Sequence, residues 1–144
     1  MMAWGEAKRL KKHGVKSKIN NETPGLKGRL NPEIKDIIKG TIDGPDLDRI
    51  WLDTRGIPGW VSQFSAAEKP VAMTIGYRIW FEPGAYNWRN LFHELKHVEH
   101  FYKHKDGFID EYSEAVWIHG YKKNRFERQA RNYADKMMER IEND

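Results

Sequence analysis

His93, Glu94 and His97 follow one another as His-Glu-x-x-His inside the segment NLFHELKHVEH, residues 90–100. On an α-helix this spacing sets the two imidazoles about 40° apart around the axis, with Glu94 about 100° from His93. One helix face then offers two nitrogen ligands and a carboxylate, the ligand-and-base set of a zinc hydrolase. Leu91, Leu95, Val98 and Tyr102 recur at i, i+4, i+7 and i+11 on the other side, so the segment is predicted to pack with one face and bind with the other.

Two histidines leave a zinc site short of a ligand. The last helical run, about 125–141, gathers Ala130, Ala134, Met137, Met138 and Ile141 on one stripe, and Glu127 falls within it. An ionised carboxylate among apolar neighbours is costly unless a positive charge meets it, and a metal already holding two imidazoles is such a charge. Glu127 is therefore expected to complete a His, His, Glu set with one position open to water. The competing reading places Glu127 in the first helical turn, favouring the helix N-terminus or pairing with an arginine.

Other candidates are weaker. His100 and His104 continue the i, i+4, i+7, i+11 series from His93, but His100 stands about 10 Å along the axis from it, too far to share one ion. Both are expected to support ligands, line the cleft or face solvent. Glu111 and Glu114 fall opposite the stripe Ile109, Tyr112, Val116 and read as solvent-facing. His119 and Tyr121 could donate a hydrogen bond to an oxyanion, against a commoner structural role.

The elements that must position these groups can be read along the chain. Pro32–Lys39 is predicted to form a short helix stopped by Gly40, and residues 46–54 another, opened by Pro45 and closed near Gly56. A turn-rich crossing over 56–70 leads to Val71–Phe81, a hairpin turning at Gly76–Arg78. The metal helix is expected over Trp88–His104, followed by helices near 109–118, with Gly120 as C-terminal cap, and 125–141. The apolar strand around Ile79–Phe81 is expected at a sheet edge, where it could align an extended substrate.

Composition limits the alternatives. The 144 residues suit one domain of ordinary size, and the absence of cysteine excludes thiolate ligands, disulfides and cysteine nucleophiles. The net charge of +4 is uneven: residues 1–30 hold eight Lys/Arg against two Asp/Glu, +6, whereas the remaining 17 basic and 19 acidic residues give −2. Residues 1–30 thus read as a basic, partly disordered arm able to touch nucleic acid or an acidic partner, and 31–144 as the folded domain. No run is apolar enough to span a membrane and the start is too charged for a signal peptide, so the expected location is cytoplasmic, with export as the cargo of a particle as a variant.

Over Val71–Ala134 the chain resembles the zincin-like metallopeptidase family found beside bacterial extracellular contractile injection systems and in phage-related loci. The resemblance is carried by MTIGYRIWFEPGAY, LFHELKHVEH and GYKKNRFERQARNYAD in that order. Glu127–Ala134 is also similar to the third-ligand helix of phage-repressor-cleaving metallopeptidases. The chain departs from the pattern at Glu99-His100, where the family often has Gln, and at Arg125, where it often has Pro. The resemblance implies a gluzincin-type fold with His93, His97 and Glu127 on zinc and Glu94 as general base.

The expectation is an α+β zincin-like domain, a small β-hairpin or sheet packed on helices with the metal between the HExxH helix and the Glu127 helix. Its expected activity is zinc-dependent hydrolysis of peptide or protein substrates. The alternative is a catalytically silent zinc-binding structural or interaction protein of a secretion or phage-related particle.

Overall fold

The computed structural model describes residues 26–143, and the expectations for the basic arm up to residue 25 fall outside them. A four-stranded mixed sheet and a helical body make an α+β fold. The strands are β1 (Lys27–Arg29), β2 (Trp51–Asp53), β3 (Ala72–Ile75) and β4 (Arg78–Phe81), ordered β1-β2-β4-β3. β1 runs antiparallel to β2, β2 parallel to β4, and β3 antiparallel to β4. The helices are α1 (Pro32–Ile38), α2 (Gly59–Ser62), α3 (Trp88–His104), α4 (Phe108–Lys123) and α5 (Arg125–Asn143).

The hairpin forms where the sequence places it. Gly76 takes φ +62° and Tyr77 a negative φ, the one-positive pattern of a two-residue II′ turn that only glycine opens without strain. Its second strand is central, however, not an edge. Ile79, Trp80 and Phe81 are all buried because β2 and β3 flank β4 and both sheet faces are covered. Ile79 and Phe81 enter the main core, while Trp80 meets the edge of the Trp60 ring at 5.7 Å on the other face. The edge beside the helices is β3.

Two further expectations are corrected. Residues 46–54 do not form a helix. The Asp46 side chain caps a single 3₁₀ turn, Leu47–Arg49, after which Ile50 and Leu52 are buried and Trp51 and Asp53 half-buried, the period-two pattern of a strand. Pairing with β1 and β4 overrides the local helix-start signal. The folded domain also begins before residue 31, since Lys27–Arg29, assigned to the arm, form β1, with the Arg29 guanidinium 5.0 Å from the Trp51 ring centroid.

α3 spans the expected residues, with Asn87 as N-cap accepting from the Asn90 amide at 2.8 Å. Leu91, Leu95 and Val98 are buried in a core that also takes α1, the sheet and, from α5, Ala134, Met137 and Ile141. Tyr102 does not join them. It is 45 % exposed, its ring lying against Gly44. A smaller cluster of Phe108, Ala115 and Phe126, backed by Phe101 and Tyr112, holds α4 to the body. The inward stripe of α4 is thus Phe108 and Ala115 with half-buried Tyr112 and Val116, and Ile109 is exposed. Gly120 interrupts α4 at φ +85°, as a C-cap glycine would, but the chain then re-enters helix to Lys123.

Candidate metal centre

The site lies where α3 and α5 pack, beside the edge strand β3 and under α4. His93 and His97 come from consecutive turns of α3 and their ring centroids are 5.1 Å apart. Glu127 reaches both from α5: its Oε1 is 2.8 Å from His93 Nε2 and its Oε2 3.2 Å from His97 Nε2. With bonds of about 2.0–2.1 Å, tetrahedral zinc ligands stand about 3.4 Å apart, so this donor set, two imidazoles and a carboxylate, fits that ion.

Proximity alone also groups His93, Glu94 and His97, one ligand-type atom from each lying within 4.8 Å of the others. The two carboxylates are nevertheless held differently. Glu94 Oε1 accepts a hydrogen bond from Thr74 Oγ1 at 2.9 Å, which draws it toward β3, while Glu127 presents both oxygens to the imidazoles. Glu127 is thus the carboxylate that faces both imidazoles, and Glu94 the one turned toward β3.

Glu127 is 3 % exposed. Burial favours its protonated form, but the hydrogen bonds from His93 and His97, the His97 charge and the Tyr112 hydroxyl outweigh that and hold it well below the usual carboxylate range. For His97, burial opposes the charged form, and the bond to Glu127 with the charges of Glu127 and Glu94 prevails, so its pKa is raised. Any metal ion bound here would compete with protons for the same nitrogens.

Three groups buttress the cluster, and of them only His100 was read from the sequence as a possible support. Tyr112, expected only to pack, donates its hydroxyl to Glu127 Oε2 at 2.6 Å. Tyr112→Phe is expected to weaken zinc binding by about 10–100-fold, measured by competition with a chelating dye, with the fold intact by circular dichroism. His100 is 3 % exposed, with Nε2 2.8 Å from Gln129 Oε1 and Nδ1 3.2 Å from His97 Nδ1. Burial and the His97 charge push its pKa down to about 3, so it is neutral and owns one N–H. Gln129 Oε1 only accepts, so that N–H is on Nε2, and His100 Nδ1 must accept from His97 Nδ1–H. When His97 loses a proton, the one kept on Nδ1 by His100 leaves the Nε2 lone pair on the side of Glu127.

Asn124 is the third. Fully buried, it accepts from the Phe126 and Glu127 amides at 3.1 Å each and donates to the Gly120 and Tyr121 carbonyls, tying the kink of α4 to the first turn of α5. Asn124→Ala removes this cap and is expected to cost about 1–2 kcal/mol, read as a lowered urea midpoint.

His104 pairs with Glu111 at 2.5 Å, away from the centre; Glu111 and Glu114 are exposed as expected, and His119 is exposed too. Tyr121 lines the cleft that opens beside Glu94, His97 and Glu127, a cavity of about 100 Å³. Burial and the charges of Glu127 and Glu94 push its pKa up to about 12, so it stays a hydrogen-bond donor at neutral pH.

No helix among the described residues is long and apolar enough to cross a membrane. Searches of family models, curated proteins and solved structures returned no match to the chain.

Proposed function

We propose that the protein is a zinc-dependent endopeptidase of the zincin-like kind, with His93, His97 and Glu127 as metal ligands. The observation that carries this reading is the meeting of a buried α5 carboxylate with both imidazoles of α3, beside a second carboxylate that Thr74 holds out of the ligand set. A zinc ion held there supplies Lewis acidity, lowering the pKa of a water and polarising a carbonyl. Glu94 accepts the proton of the attacking water and passes it to the leaving amine. Tyr121 donates its hydroxyl to the carbonyl oxygen as negative charge develops. The outer edge of β3, which among the described residues pairs only with β4, offers backbone groups to an extended chain beside Glu94. Zinc content and peptide-library cleavage, compared between wild type and Glu94→Gln, test the reading.

A further inference from the structure

Among the described residues, most of the exposed bulky apolar side chains belong to the segments around one cleft, Tyr102 and Ile118 lying apart from it. Phe64, Ile109 and Tyr121, 54 %, 42 % and 38 % exposed, line it. Ile109 and Ser113 line it from successive turns of α4, so the 90 % exposed Trp117, one turn further, extends the same wall outward. Across the opening, exposed Trp60 and Val71 belong to the segment that brings Phe64 and Pro70 to the cleft. In a chain that is 32 % charged, no Lys, Arg or Asp among the described residues lines this space. Apolar surface so concentrated marks a binding face.

We propose that the two walls form a channel for an extended polypeptide segment rich in bulky apolar side chains, the kind exposed when a protein is unfolded. One side chain sits between Phe64 and Ile109, and others rest on Trp60 and Trp117. The occupant is a polypeptide because the outer edge of β3, Ala72–Ile75, which pairs with no strand among the described residues, borders the same cleft. It can satisfy main-chain N–H and C=O groups that a lipid or an apolar small molecule does not have. This deepens the peptidase reading by naming its substrate class, and it rests on that reading for what happens after binding.

The test uses the zinc-loaded full chain carrying Glu94→Gln and two fluorescein-labelled peptides of equal length and charge. One has Leu and Phe at alternate positions, the other Ser and Asn in their place. Fluorescence anisotropy is expected to show the apolar peptide bound about a hundredfold more tightly, from about tenfold for each of two seated side chains. Trp117→Ser and Phe64→Ser, both at exposed positions, should each weaken its binding about tenfold and leave zinc content unchanged. Equal affinity for the two peptides, or unchanged affinity in both variants, overturns the channel. So does a self-association of the wild type that Trp117→Ser abolishes, which would assign the face to a second copy. Selective binding lost in the variants, without cleavage by the wild type, keeps the channel and sinks the peptidase reading. Indifferent cleavage of polar and apolar peptides does the reverse.

Discussion

Glu94→Gln is expected to bind zinc as the wild type does and to lose about 10²–10⁴-fold in peptide cleavage, the range that a positioned general base contributes. The substitution is close to isosteric, and the amide oxygen can still accept from Thr74 Oγ1, which now donates at 2.9 Å. Leu91, Leu95 and Val98 on the opposite face keep α3 in the core. Neither His93, His97 nor Glu127 needs Glu94 to reach its partner, since their contacts run directly between α3 and α5. What disappears is the proton acceptor. Zinc in both proteins with cleavage in the wild type alone supports the enzyme. Zinc in both with cleavage in neither would make the centre a staple between two helices, as in a structural component of a particle.

How much of this was legible in the sequence depends on whether an element's signal is local. α3 and α5 are long and strongly periodic, so their faces could be read from spacing, and Glu127 stood out as a lone carboxylate in an apolar stripe. The stripe of α3 held through Val98 and failed at Tyr102. Eleven residues along, about 16 Å up the axis from Leu91, the helix has run past the core and the ring meets Gly44 instead. β2 was misread because the capping signal at Asp46 is genuine but serves one 3₁₀ turn, and the strand after it is chosen by β4, far along the chain. The same non-local pairing decided which hairpin strand became the edge. Strand composition does not encode neighbours in a sheet, and β1 was hidden in a basic segment whose Arg29 lies over Trp51.

The supporting groups of the centre were illegible for a related reason. Tyr112, Gln129, Thr74 and Asn124 act through contacts between elements, and their distances depend on how α4 and β3 dock against α3 and α5. His100 shows the limit well. Helical rise set it apart from the proposed ligands, yet rise says nothing of Gln129, whose hydrogen bond turns His100 so that its Nδ1 meets His97 Nδ1.

Glu127→Gln is expected to cost more than about a hundredfold in zinc affinity, beyond what loss of a ligand's hydrogen-bond partner costs, because it removes a charged ligand itself. The amide keeps the side chain's shape within α5, so the loss would not stem from unfolding. The chelated protein provides an independent check through pH. The depressed Glu127 pKa gives stability present above its ordinary value near 4.5 and lost as pH falls through the lowered one. The raised His97 pKa gives stability present below its ordinary value near 6.5 and lost as pH rises through the raised one. The metal-free wild type should therefore gain from this pair chiefly between those two ordinary values. Zinc should move the favoured range upward, since it binds the deprotonated ligands and is released as they take up protons. Urea midpoints measured across pH with and without zinc should show both behaviours in the wild type and neither in Glu127→Gln. A variant that binds zinc normally and keeps the wild-type pH profile would remove Glu127 from the centre and with it the proposed peptidase.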